Sequence, residues 1–302
     1  MFCLNVHRVA RLGNNIMQLY QSLLFARQIG AKIVCVGSLR VFLFNPGFKR
    51  YVCEDGLVIT RDGPPKKGFD VITERFFSPV SFGGHSFAPD LSLIPQVFQE
   101  IQTIMGIIPD QCGVSTDLHC HIRSGDIFTR ESPKGNYVQP PLAFYVRSIL
   151  DLLEIGEYKR VKVVYETPHN PVVQALLDCE QFGIPVVGQS STLEQDAGEM
   201  MRASAIVMSR GSFVPMLSAV SGRTKDACFF LHPGLEVDDY LSTKTPYILE
   251  YFGTRMHNYS DDGTYIPRHS WKICSPDTEE SLLQRKMLVD FPITSIIRVC
   301  RS

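Results

Sequence analysis

The chain has 302 residues, 44% of them hydrophobic and 20% charged, which is room and composition for one large globular domain or two ordinary ones with a sizeable core. Its formal net charge of -1 excludes the general basic footprint of a nucleic-acid binder, although a local basic pocket for a diphosphate remains open. Nine cysteines, an odd number with no Cys-x-x-Cys pair, argue against a disulfide framework or a zinc site and for a reducing, cytoplasmic setting. The first residues, Met-Phe-Cys-Leu-Asn-Val, lack the pattern of a signal peptide. No stretch approaches the ~20 apolar residues that cross a bilayer, so no membrane span is expected.

Phe2 to Val6 reads as a short buried strand and His7 to Gly13 as a polar, basic loop. Ile16, Leu19, Tyr20, Leu23 and Leu24 recur at helical spacing, which predicts a helix from about Asn14 to Ile29, stopped by Gly30. Lys32 to Val36 is the next strand, and this β-loop-α-β order opens a parallel α/β domain. Leu39 to Pro109 is broken by Asp62-Gly63-Pro64-Pro65 and Phe82-Gly83-Gly84, with one helix marked by Phe98, Ile101, Ile104 and Met105.

From Gly113 the pattern becomes regular. Strands are expected at Thr116–Ile122, Val161–Tyr165, Ile184–Val187, Ala205–Met208 and Ala227–Leu231. Helices are expected at Leu142–Leu153, Pro171–Phe182, Leu193–Met201 and Phe213–Val220, the third opened by a capping signal at Ser191 and Thr192. This alternation predicts a doubly wound parallel sheet with its ligand at the C-terminal edge. The expected domains are 1–110 and 111–302. A mixed tail from about residue 233, with a helix starting at Ser275-Pro276, is left free to pack back on the first domain.

Three places suit an anion. Strand alternation puts His119, His121 and Arg123 on one face, with Arg123 at the strand's C-terminal end, before Gly125 and Asp126. A guanidinium there can bind phosphate oxygens bidentately, or it can pair with Asp126 to tie down a surface turn. Ser209-Arg210-Gly211-Ser212-Phe213 joins a strand to a helix and is either an anion-binding turn or a plain cap. Arg11-Leu12-Gly13-Asn14-Asn15 lies between the first strand and first helix, where Gly-Asn is also ordinary turn chemistry.

In this order the three segments resemble the fucosyltransferase superfamily, the α-1,2-fucosyltransferases and protein O-fucosyltransferases. Arg-Leu-Gly-Asn-Asn-x-Met-Gln resembles their Gly-x-x-Gly-Asn-Gln opening. His121-Ile122-Arg123-Ser124-Gly125-Asp126 resembles their His-x-Arg-x-x-Asp motif. Met200-x-x-Ala203 through Ser209-Arg210-Gly211-Ser212-Phe213 resembles their last motif, where a Ser-Ser/Thr-Phe turn meets the donor pyrophosphate. The sequence departs from the pattern at Asn15, at Arg210-Gly211 and at Ser124, where many members carry Gln, Ser or Asn, and a second Arg.

The resemblance implies a GT-B fold, two Rossmann-like domains facing across a cleft, and an inverting, metal-independent glycosyltransferase. Its donor is a nucleotide sugar, GDP-fucose first, and its acceptor a glycan hydroxyl. No metal and no cofactor is implied beyond the GDP-sugar co-substrate. Another nucleotide sugar, or a non-catalytic sugar-nucleotide or glycan binder on the same fold, are the alternatives. By the resemblance Arg123 stabilises the leaving GDP, His121 contacts the guanine-ribose end and Glu166 reads guanine. Ser209, Gly211, Ser212 and Phe213, with Arg11, Gly13 and Asn14, complete the donor contacts. Glu131, ten residues after His121, matches an acidic residue proposed as base in core α-1,6-fucosyltransferases, and Asp126 is its rival.

Overall fold

The computed structural model describes residues 1–7, 11–76, 81–82, 84–107, 113–129, 139–231, 245–265 and 279–299. The chain divides into two compact units, Met1–Cys112 with Ala219–Gly222, and Gly113–Ser218 with Arg223–Ser302.

The first unit runs β1 (Phe2–Val6), α1 (Leu12–Gln28), β2 (Ile33–Cys35), β3 (Arg50–Val52), β4 (Val58–Thr60), β5 (Asp70–Glu74), a small hairpin of β6 (Ser81–Phe82) and β7 (His85–Ser86), and α2 (Ile94–Met105). Its sheet has the order β3-β4-β2-β1-β5, parallel except where β3 meets β4. Helix α1 is buried along nearly its whole length and packs on β1, β2 and α2, with Tyr20 stacked on Phe98 at 5.1 Å. It starts at Leu12, two residues before the predicted position. The Asn15 amide donates to the Arg11 carbonyl at 2.7 Å while its oxygen accepts from the Arg40 backbone N–H at 2.9 Å, which holds the first turn closed. Gly30 at φ +66° ends the helix in the left-handed conformation that glycine adopts most easily.

The second unit runs β8 (Leu118–Ile122), α3 (Asp126–Thr129), α4 (Leu142–Ile155), β9 (Val161–Tyr165), α5 (Pro171–Leu177), β10 (Val186–Gln189), α6 (Leu193–Arg202), β11 (Ala205–Val207), α7 (Phe213–Ser221), β12 (Asp226–Phe230), β13 (Arg255–Asp261), α8 (Glu279–Asp290) and β14 (Ile296–Val299). Its seven strands lie in the order β10-β9-β8-β11-β12-β13-β14, all parallel except the last pair. Apolar positions of β8, β9 and β11 meet Phe144, Tyr145 and Ile149 of α4 and Val172, Val173 and Leu176 of α5 in one core. Helix α5 stops at Leu177 rather than Phe182, because Asp178 leaves the helical backbone and caps it. Helix α6 opens on the expected capping box: Thr192 Oγ1 accepts from the Gln195 N–H at 3.3 Å, and Gln195 Oε1 accepts from the Thr192 N–H at 3.4 Å.

The described part of the tail belongs to this second unit. β13 and β14 extend its sheet, and α8 packs on α4 and α5. The predicted helix start at Ser275-Pro276 lies outside the described residues. Both units are α/β with mainly parallel, Rossmann-like sheets; strands and helices alternate from β8 to β12 in the second, and across β1–α1–β2 in the first. Among the described residues no helix is long and apolar enough to cross a membrane.

A charged network fastens α6 to β8 and β9. Lys162 Nζ lies 2.8 Å from Glu199 Oε2 and 3.5 Å from Asp117 Oδ2, and Arg160 Nε lies 2.9 Å from the same Asp117 oxygen. His119, fully buried, reaches Glu199 Oε2 at 3.4 Å. The His119 hydrogen bond, with that of Lys162, holds the Glu199 carboxyl down to about 2 despite partial burial. A carboxyl whose folded value is depressed favours the folded state above its unfolded value, here the ordinary glutamate value of 4.5, and loses that contribution as pH falls toward 2. Glu199→Gln is therefore expected to lower the melting temperature at neutral pH and to flatten the loss of stability between pH 5 and pH 2. Thermal unfolding followed across that range checks it, and parallel acid limbs for the two proteins would refute the assignment.

Candidate functional site

The second sheet reverses its winding between β8 and β11. From β8 the chain adds β9 and β10 on one side, then returns to add β11, β12 and β13 on the other. Neighbouring strands whose connections leave in opposite directions open a crevice at their C-terminal ends, the usual ligand position of such sheets. At those ends lie His121-to-Asp126, the last residues of β8 and the turn after it, and Ser209-to-Phe213, the turn after β11 and the start of α7.

The structure brings these two segments together. The Ser209 N–H donates to the His121 carbonyl at 3.1 Å, continuing the β8–β11 pairing past the end of β11. His121 Nδ1 lies 2.6 Å from Ser209 Oγ, and its ring sits 5.4 Å from that of Phe213. Arg123 reaches across to the same turn. A Cβ placed on Gly211 would lie 2.8 Å from Arg123 Nη1, so the guanidinium rests against bare backbone. Gly211 has φ +127°, a conformation that L side chains rarely adopt, and it is this backbone rather than the movable guanidinium that requires glycine. Ser209 and Ser212 are buried beside it. Helix α7 starts at Phe213, with the Ser212 carbonyl accepting from the Met216 N–H at 3.1 Å and with no acidic residue in the first turn. Guanidinium, helix N-terminus and two hydroxyls thus share one strand edge, a constellation chemically suited to phosphate oxygens.

Glu166 follows β9, on the other side of β8. Its carboxylate lies over the β8–α3 turn: a Cβ on Gly125 would stand 2.2 Å from Glu166 Oε2. Gly125 itself has φ +70°. Asp126 opens α3, and its side chain lies outside the described residues, as does the whole of Glu131. Arg11, Gly13 and Asn14 belong to the first unit, at the N-terminus of α1. Arg11 is its exposed N-cap residue, Gly13 is buried in the first turn and Asn14 is half-buried.

Three contributors escaped the sequence reading. Gln18 donates from Nε2 to the His7 carbonyl at 2.6 Å and also to the Arg75 carbonyl, tying the loops that leave β1 and β5. The Met-Gln ending of the first motif was its signal. Thr167 and Asn170, in the turn after β9, bond the turn after β8, and Asn170-Pro171 as N-cap and first-turn proline was the trace they left. Among the described residues no group of three or more His, Cys, Asp or Glu side chains is disposed to hold a metal ion.

No protein-family model matches the sequence, and no curated protein does. Two solved structures of E. coli heptosyltransferase WaaC resemble the chain, one with ADP at 14% identity and a TM-score of 0.39, the other with ADP-2-deoxy-2-fluoro heptose at 13% and 0.38. The likeness covers 83% of this chain in each case, and 97% and 99% of theirs. At that identity and TM-score it carries no inference about ligand or reaction.

Burial, and then the charge of Arg123, lowers His121 to about 3. The imidazole is therefore neutral at physiological pH. Its short contact with Ser209 has the geometry of a base beside a nucleophile, but a base this weak cannot take a serine proton near neutrality. The pair is a fixed hydrogen bond between neutral groups. Because the folded value lies below the usual 6.5, the folded state binds fewer protons than the unfolded chain between pH 6.5 and 3, and His121 costs stability as pH falls through that window. The ring C–H resonances of His121 should stay flat from pH 8 to pH 4 in an NMR titration. A midpoint near 6.5 would show that the ring is not held as described.

Proposed function

We propose that the second unit binds the diphosphate of a nucleotide sugar at the β8–β11 edge and that the chain is a GT-B-type glycosyltransferase, inverting and metal-independent. Its proposed donor is GDP-fucose and its acceptor a hydroxyl of a glycan. The observation that carries the reading is the packing of Arg123 against Gly211. Two separate motifs of the fucosyltransferase pattern meet there, at the position where a doubly wound sheet holds its ligand. The planar guanidinium suits phosphate oxygens bidentately, and the α7 N-terminus adds partial positive charge.

In the proposed transfer an acceptor hydroxyl oxygen attacks the anomeric carbon from the face opposite the diphosphate. The bond from that carbon to the β-phosphate oxygen breaks, and its electron pair leaves with GDP. Arg123 stabilises the negative charge developing there, the task a metal ion performs in other transferases. The proton of the attacking hydroxyl passes to a carboxylate, for which Glu131 is proposed first and Asp126 second. The neutral His121 is assigned to the ribose end of the nucleotide and Glu166 to the base. Arg11, Gly13 and Asn14 offer further donor contacts from the first unit, whose larger role is proposed to be the acceptor.

Calorimetry with GDP, UDP and ADP tests the donor, and GDP is expected to bind tightest. A preference for UDP or ADP would keep the diphosphate reading and replace the sugar nucleotide. Binding without hydrolysis or transfer of any donor would leave a nucleotide-sugar binder. Arg123→Lys keeps the charge and loses the fork, so turnover should fall by roughly 10²–10³, the scale of losing one preorganised charge-stabilising contact. Near-normal turnover in that variant removes Arg123 from the mechanism. Activity should survive excess EDTA, and loss of turnover restored by manganese would contradict metal independence.

A further inference from the structure

Arg123 is the last residue of its strand's face and the first of a turn, so its guanidinium is only as fixed as the backbone beneath it. On the β11 side the backbone is held through His121 and Ser209. On the β9 side three hydrogen bonds join residues 123–125 to a single neighbouring turn, and a fourth lies within that turn. Asn170 Nδ2 donates to the Arg123 carbonyl at 2.9 Å. The Thr167 N–H donates to Ser124 Oγ at 2.9 Å. The Gly125 N–H donates to Thr167 Oγ1 at 3.1 Å. His169 Nδ1 lies 2.8 Å from the same Thr167 oxygen and steadies it. Residues 123, 124 and 125 are each engaged in succession. Asn170 is fully buried and Ser124 nearly so, at 0% and 2% exposure, while Thr167 is half-buried and His169 exposed, so the inner end of the set is the better shielded from water.

From this geometry we infer that Asn170, Thr167 and Ser124 form a clasp whose task is to aim Arg123 at the Gly211 turn. Asn170 has two separable roles. Its Oδ1 accepts from the Val172 N–H at 3.0 Å and so caps α5, which serves stability, while its Nδ2 holds the Arg123 carbonyl. The inference rests on the reading of Arg123 as a diphosphate-binding residue, and its members are positioning residues that need touch no substrate.

The test uses the full chain with three variants. Asn170→Asp keeps the cap and removes the donor to Arg123, and Thr167→Val removes the acceptor for Gly125 while Thr167→Ser restores it. Three quantities are read: melting temperature, affinity for GDP and for inorganic pyrophosphate, and the ¹⁵Nε–H signal and hydrogen exchange of the Arg123 guanidinium. Asn170→Asp and Thr167→Val are expected to weaken both ligands about tenfold, the effect of roughly 1.4 kcal/mol, and to speed exchange at Arg123. Thr167→Ser should behave as the natural protein does. Should Asn170→Asp fold poorly, the threonine pair decides alone. Unchanged affinity with an unchanged Arg123 signal overturns the clasp. If the natural protein binds neither ligand, the proposed function falls, and the exchange measurement alone still decides whether the clasp fixes Arg123.

Discussion

A guanidinium can lie against a peptide backbone only where no side chain stands between them, and that steric condition organises the C-terminal edge of the second sheet. Gly211 meets it by having no Cβ beside Arg123, and its φ of +127° independently favours glycine there. The consequence reaches back into both strands. Ser209 bonds His121, and β8 neighbours β11, so the two turns meet. The winding reversal supplies that adjacency, although 88 residues separate His121 from Ser209 in the chain.

The same face of β8 shows how charge is graded along the strand. His119, His121 and Arg123 follow one another at the two-residue period. His119, innermost, is absorbed into the network of Glu199, Lys162 and Asp117, where opposite charges offset each other. His121, one step on, is kept neutral by burial and by its cationic neighbour. Only at Arg123 does the face carry a lasting positive charge directed at a turn with dipolar character of its own. An anion drawn to this edge meets a charge that does not titrate in the physiological range, since a guanidinium stays protonated and the imidazole beside it stays neutral.

How much of this was legible differs by element. β1 and β9 were readable to the residue, because four of the five side chains in each are apolar, interrupted only by Asn5 and Lys162, which leaves a nearly continuous signal. The region from Leu39 to Pro109 was not. β3 and β4 have three residues each, too short for any period to register, and although they pair with each other, β4 also pairs with β2, 25 residues earlier. The start of α1 was misplaced because Gly13-Asn14 reads as turn chemistry, whereas Asn15 bonds both Arg11 and Arg40 and draws the helix back over the glycine. In the site, each motif was visible alone. The contact between Arg123 and Gly211 was not, since adjacency of β8 and β11 is a property of topology. Asn170 could be read as a cap, yet its second bond goes to a carbonyl 47 residues earlier, which no local pattern encodes.

The first unit sharpens the argument by contrast. Its parallel strands follow the order β4-β2-β1-β5, so the chain reverses its winding beside β1 as it does beside β8. The crevice expected there is spanned by an amide. Gln18, fully buried, donates from one nitrogen to the carbonyls of both His7 and Arg75, the loops that would border a ligand. A neutral donor already engaged with two backbone carbonyls has little to offer a phosphate. The equivalent place in the second unit holds a guanidinium with several donor hydrogens and a helix N-terminus behind the turn it touches. Two sheets of similar winding thus differ in what closes the reversal, an amide that seals the loops in one and a cation that suits an anion in the other. This difference, rather than the shared topology, is the physical ground for assigning the proposed donor site to the second unit.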